Sequence, residues 1–194
     1  MDELAKDLDV RMRKLTRHDH VHIVDRCNFA IFMALAIVKK VYENSGKKEV
    51  PVLLIPDQGG WYSFKRYPKY FDMEVIELKT DYGVIDVKDL KKKVKGASAI
   101  LLTSFAGYFA EQPLKKIKTI CEKNNCLVIE DASGSIGDKK LCNGNYSDIT
   151  VGSFSRWKPV AYGYGGWISV AKKEYFELVR EVISMCRVHE KFYK

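Results

Sequence analysis

The sequence predicts an α/β protein of three layers, a mostly parallel central sheet with helices packed on both faces. Short apolar runs alternate with amphipathic stretches along the chain, the pattern of repeated strand–helix units. The runs are apolar throughout instead of alternating with polar residues, as strands covered on both faces must be. No linker, internal repeat or low-complexity tract interrupts the 194 residues, so residues 1–194 are expected to form one domain.

Residues 2–17 read as a charged helix and 18–25 as an extended piece. Residues 27–42 are long enough for a helix and apolar nearly all round at their start, which marks a helix buried in a core. Asn44-Ser45-Gly46 ends it with turn residues. Residues 50–55 form a buried strand closed by Pro56, 61–70 an irregular or helical stretch, and 73–78 a second strand. Asp86 caps a helix that turns Val87, Leu90 and Val94 to one side, and 97–103 make a third strand. Pro113 opens a helix with Leu114, Ile117, Ile120 and Cys121 inward and lysines outward. Strands follow at 126–130, 149–154 and 167–171. A final amphipathic helix carries Tyr175, Leu178, Val179, Val182 and Cys186.

Composition narrows the function classes. No apolar run reaches membrane-spanning length, and the opening Met1-Asp-Glu-Leu-Ala-Lys-Asp is too polar for a signal peptide, so a cytoplasmic protein is expected. Five cysteines, odd in number and with no Cys-x-x-Cys pair, read as reduced thiols, most of them buried. The net charge of +8 suits an anionic partner. The lysines are spread over several helices, which favours solvated helix faces over a nucleic-acid interface. His18, His20 and His22 would share one face of a strand, but no acid or cysteine of suitable spacing completes a metal site, and none is assigned.

The residues that carry chemistry lie at strand ends, where ligands bind in parallel α/β sheets. Glu130 and Asp131 end one buried strand and are followed by Ala132-Ser133-Gly134-Ser135, small residues that let a flat ring approach the backbone. A carboxylate there could keep a pyridine nitrogen protonated. Lys158 follows the next strand, within Ser153-Phe-Ser-Arg-Trp-Lys158 and before the glycine-rich 161–166; partial burial would free its amine for a Schiff base. Ser153 and Ser155 could donate hydroxyls to a phosphate, as could the helix start at Cys27-Asn28. Locally, Asn28 is equally readable as a plain N-cap, and Arg156-Trp157-Lys158 as a nucleic-acid contact. Gly59-Gly60 allows close backbone approach, with Trp61 next to it to stack on a flat ligand or to serve as a core aromatic.

Together these segments resemble the large domain of fold-type I pyridoxal phosphate (PLP) enzymes, and most closely the DegT/DnrJ/EryC1/StrS aminotransferase family. Glu130-Asp131-Ala132-Ser133 is similar to the family's Glu-Asp-Ala-Ala. Residues 147–158 with Gly163-Tyr-Gly-Gly166 resemble its Gly-Asp-x-x-x-Phe-Ser-Phe stretch, Thr-Lys and glycine turn. The resemblance implies that Lys158 forms the Schiff base and acts as general base, and that Asp131 serves the ring nitrogen. It further implies Trp61 stacking on the ring, Ser153, Cys27 and Asn28 at the phosphate, and a homodimer. The implied reaction passes an amino group from a small-molecule donor to a keto acceptor, such as a nucleotide-linked keto sugar.

Departures from the family pattern are concrete. Gly134 stands where the family has a glutamine or histidine that helps hold the cofactor, Cys27-Asn28 where it has Gly-Thr, and Arg156-Trp157 is bulkier than its counterpart. The chain stops at Lys194, about where the smaller C-terminal domain is expected. The alternative implied is a shortened, non-catalytic relative that binds PLP or serves as a scaffold or regulator.

Overall fold

The computed structural model describes residues 3–105, 111–138 and 140–190. Its elements run α1 (Glu3–Thr16), β1 (His20–Val24), α2 (Cys27–Asn44), β2 (Val52–Pro56), α3 (Tyr62–Arg66) and a 3-10 turn (Pro68–Phe71). They continue with β3 (Glu74–Leu78), β4 (Thr80–Asp81), β5 (Val84–Ile85), α4 (Val87–Lys93), β6 (Ala99–Phe105) and α5 (Leu114–Glu122). β7 (Leu127–Gly134), β8 (Ile149–Ser153), β9 (Gly166–Val170) and α6 (Lys173–Glu190) complete them. The inward placement expected for Cys186 lies outside the described side chains.

Seven strands form one sheet in the order β1-β9-β8-β7-β6-β2-β3. The run from β3 to β8 is parallel, while β9 pairs antiparallel with both β8 and β1. The strand period of two sorts the side chains onto two cores. Leu53, Ile55, Ala99, Leu101 and Ile129 pack with α2 and α6; Leu54, Ile100, Leu102 and Val128 pack with α4 and α5. A third cluster, built on Met12 of α1, Val21 and the fully buried Trp167, extends the α4/α5 side. The three-layer expectation is borne out.

Local chemistry explains the element ends. The Asp86 carboxylate accepts the N–H groups of Lys88 (2.7 Å) and Asp89 (3.4 Å), the cap expected for α4. α2 is buried along Ala30, Ile31, Met33, Ala34, Leu35, Ile37 and Val38, which is why its sequence is apolar nearly all round. The small β4–β5 hairpin is not anticipated by the sequence. Its two-residue loop, Tyr82-Gly83, has both φ angles positive (48° and 82°), and Tyr82 occupies a position that usually signals itself by Asn, Asp or Gly.

Candidate active site

β7 does not stop at Glu130 as the sequence suggests. It runs on to Gly134, because β6 stays paired with it past an irregularity after Thr103, with Phe105 opposite Gly134. Glu130 and Asp131 therefore both lie inside a strand and point to opposite faces. Glu130, fully buried, accepts the backbone N–H of Cys142 (2.8 Å) and of Asn143 (3.2 Å) and so ties down the loop between β7 and β8. Burial raises its carboxyl above the ordinary value, an effect partly offset by the nearby Ser104 side chain and by those two N–H groups.

Asp131 turns to the α2 side. Its Oδ1 accepts the N–H of Ser133 at 3.0 Å and a long contact from the Cys27 thiol at 3.9 Å. Burial pushes this carboxyl up as well, opposed by the Ser133 bonds and by the charge of Lys158. The Cys27 thiol, 3.3 Å from the Ser133 hydroxyl, is raised well above its usual value by burial and by the neighbouring Asp131. It is a neutral hydrogen-bonding group here, not a thiolate.

Lys158 comes from the excursion between β8 and β9. The Phe154 N–H donates to the Gly165 carbonyl at 3.0 Å and the Tyr162 N–H to the Phe154 carbonyl at 2.8 Å, closing the neck of this loop. Lys158 is half-buried, whereas its neighbour Trp157 (φ 70°) is 97% exposed, so the two side chains part company at the mouth of the site. Ser153, at the end of β8, accepts the Ser155 N–H (3.1 Å), and the two serine hydroxyls are 2.8 Å apart. Where β9 begins, a Cβ on Gly166 would lie 2.5 Å from the Cys27 nitrogen and 2.8 Å from the Gly152 carbonyl oxygen; only glycine lets the start of α2 sit this close to the sheet.

Asn28 is not the N-cap. Arg26 caps α2 with extended backbone and no side-chain bond, so the first N–H groups of an 18-residue helix are left without a capping side chain at the site's edge. Asn28 instead donates to the Tyr62 hydroxyl at 2.7 Å, tying α2 to the start of α3. Trp61, the residue before α3, is 57% exposed and tilted against Tyr62, so the core-aromatic reading of it is wrong.

Lys158, Asp131, Trp61, Asn28, Cys27 and Ser153 all line one cavity of about 540 Å³, a size suited to a small ligand. Five elements or their flanks supply them: α2, the approach to α3, β7, β8 and the loop after β8. The cavity also takes in Thr103, which the sequence reading passes over. The available signal was the polar Thr103-Ser104 closing an otherwise apolar run at a carboxyl strand end.

The histidines part in a way their spacing hides. His18 is buried off the strand; its Nε2 donates to the Ser147 carbonyl (3.0 Å), leaving Nδ1 to accept from the Ser169 hydroxyl (2.9 Å), and burial lowers its pKa below 6.5. His20 stacks on Phe176 with ring centres 5.3 Å apart. Among the described residues no helix is long and apolar enough to cross a membrane.

A buried strand carboxylate, a loop lysine and an uncapped helix start thus meet around one cavity on a sheet of this order. Residues 72–193 match the model of the DegT/DnrJ/EryC1/StrS aminotransferase family, and the chain belongs to that family. Among solved structures it is similar to the Escherichia coli GDP-4-keto-6-deoxy-D-mannose-3-dehydratase with bound hydrated PLP, at 19% identity and a TM-score of 0.77 over 92% of this chain and 46% of that one. It is also similar to the aminotransferase TlmJ of Streptoalloteichus hindustanus, at 17% identity and a TM-score of 0.79 over 95% and 49% of the two chains. A probable glycine dehydrogenase (decarboxylating) subunit 1 of Bacillus velezensis is 28% identical over 114 residues, 56% of this chain and 25% of that protein. The chain thus spans about half the length of these solved structures and a quarter of that curated relative.

Proposed function

We propose that residues 1–194 form one domain that binds pyridoxal 5′-phosphate and acts in amino-group transfer from a small-molecule amino donor to a keto acceptor. The observation that carries this reading is that Lys158 and Asp131, from different elements, line the same cavity. The donor set fits the group: an amine, a buried carboxyl with one oxygen already fixed by backbone, and hydroxyls beside an uncapped helix start.

Bound PLP supplies an aldehyde conjugated to an electron-withdrawing ring. Lys158 would hold the cofactor through its amine and, once an amino substrate has taken its place at the aldehyde carbon, its freed amine would move a proton at the substrate carbon next to that nitrogen. Asp131 keeps a proton on the ring nitrogen. Its burial makes that partnership stronger than it would be in water, because a cation beside a desolvated carboxyl is its best available neighbour. Trp61 covers one face of the ring, and Ser153 with the first turn of α2 at Cys27 and Asn28 takes the phosphate.

A nucleotide-linked keto sugar is the proposed acceptor class, supported by the dehydratase likeness. A homodimer belongs to the same reading: Trp157, Tyr162 and Tyr164 stand exposed beside the mouth, an aromatic surface suited to burial against a second subunit. The cytoplasm is the proposed location, in keeping with the free thiols of Cys27, Cys121, Cys126 and Cys142.

The test is to mix purified protein with PLP, follow visible absorbance, reduce with borohydride and map the adduct by mass spectrometry. The expected result is an adduct on Lys158 that Lys158→Ala loses. Visible colour that persists in Lys158→Ala through borohydride reduction, or an adduct on another lysine, would overturn the assignment. An adduct on Lys158 without any half-reaction against amino donors would favour a binding or scaffold role over turnover.

A further inference from the structure

We infer that Thr103 donates a hydrogen bond to the 3-oxygen of the pyridine ring, taking the place of the side chain that Gly134 lacks. The inference rests on the PLP reading above. In PLP the ring nitrogen is para to the aldehyde-bearing carbon. The phosphate arm lies on one flank of that axis, and the 2-methyl and 3-oxygen lie on the other. Sheet order then settles which strand meets which flank. Asp131 is on β7, Ser153 on β8, and β6 borders β7 on the side away from β8. With the nitrogen at Asp131 and the phosphate at Ser153 and the start of α2, the flank carrying the 3-oxygen falls toward β6.

Thr103 is the β6 residue in direct register with Asp131. Both sit two residues beyond partners, Leu101 and Ile129, that pack on the α2 side, so both present their side chains to that face. Thr103 lines the cavity and is only 7% exposed, and its hydroxyl has no hydrogen-bond partner among the described residues. Buried hydroxyls are normally paired, and one left unpaired weakens the apoprotein. Such a group is retained without penalty to the working protein when a ligand atom completes it. Gly134, level with the end of the same strand pair, also lines the cavity and offers no side chain of its own.

Thr103→Val removes the hydroxyl and keeps the shape; Thr103→Ser keeps the hydroxyl. Three readouts are taken on parent and variants: melting of the apoprotein, PLP affinity by fluorescence titration, and the pH midpoint of the visible band of the PLP-loaded protein. A donor to an anionic ring oxygen favours the anion, so its loss moves that midpoint upward. The expected result for Thr103→Val is PLP affinity weaker by about tenfold and a midpoint raised by about half a pH unit or more. Its apoprotein should melt no lower than the parent's, and Thr103→Ser should stay close to the parent in all three. Unchanged affinity and midpoint in Thr103→Val would overturn the inference while leaving the cofactor reading standing. So would a melting loss that accounts for the weaker binding, or a Thr103→Ser variant as weak as Thr103→Val. If the parent itself forms no reducible adduct at Lys158, both the cofactor reading and this inference fall.

Discussion

Glu130 and Asp131 are consecutive carboxylates on one strand, both buried and both raised by that burial, yet they belong to different regions with different purposes. On the α4/α5 side Glu130 is enclosed and its oxygens are spent on the N–H groups of Cys142 and Asn143. On the α2 side Asp131 borders a cavity and has one oxygen engaged by Ser133. Burial and a shifted pKa describe both equally well. What separates them is whether the hydrogen-bonding capacity is already filled from inside the protein. The filled carboxylate is a fastening, and the other keeps hydrogen-bonding capacity that the proposed cofactor would fill.

The strongest way to break this contrast is to delete each side chain in turn. Glu130→Ala strands two buried N–H groups and opens a cavity, and is expected to cost about 3–5 kcal/mol in urea unfolding of the apoprotein. Asp131→Ala removes a desolvated carboxyl whose main internal bond is one N–H at the edge of an open cavity, and is expected to cost about 1 kcal/mol or less. In PLP titrations the ranking should invert, with Asp131→Ala losing most of the affinity and Glu130→Ala keeping it wherever the protein remains folded. Equal unfolding costs for the two variants would erase the distinction drawn between the regions.

A smaller effect sharpens the fastening side. The loop that Glu130 holds also packs against His18, since a Cβ on Gly144 would come within 2.6 Å of His18 Nε2 and 2.7 Å of the Arg17 carbonyl oxygen. Gly144→Ala must push a ring that is itself bonded at both nitrogens, and is expected to cost about 1–3 kcal/mol with no change in PLP affinity. A loss of affinity comparable to the loss of stability would show that the two regions are coupled.

The same division governs what could be read from the sequence. That Lys158, Asp131 and Ser153 meet at one cavity was legible because local pattern carries them: a polar residue at the carboxyl end of an apolar run, and a lysine ahead of a glycine turn. The two-sided sheet was legible from the apolar runs for the same reason. Opposite facing of Glu130 and Asp131 was not, because it depends on β7 continuing past the point where its apolar residues stop, and that is decided by pairing with β6. Thr103 was missed for a related reason, as its relation to Asp131 is a matter of strand register. The expected strand grouping of the histidines failed because His18 is held by Ser147 and Ser169, residues far away in the chain.

The smallest expected effect is on the dependence of stability on pH, where the two carboxylates and His18 act in opposite directions. For a carboxyl raised in the fold, the folded chain holds its proton more tightly than the unfolded chain. Its stabilising contribution is full below the ordinary value, 3.8 for Asp131 and 4.5 for Glu130, and is lost as pH rises through the folded value. Each pH unit of such a shift costs about 1.4 kcal/mol above the folded value. His18 is lowered, so its contribution is full above 6.5 and is lost as pH falls through its folded value. Apoprotein stability should therefore fall with rising pH through the carboxyl range and recover toward 6.5. Asp131→Asn should flatten the first limb in part while leaving the His18 limb unchanged. Bound PLP should flatten it too, because a ring-nitrogen proton beside Asp131 favours the ionised carboxyl and draws its folded value back down. Denaturant melts across about pH 4 to 8 on parent, Asp131→Asn and PLP-loaded protein measure all three. If PLP leaves the carboxyl limb as steep as in the apoprotein, Asp131 is no partner of the ring nitrogen, and the contrast with Glu130 is then only one of solvent access.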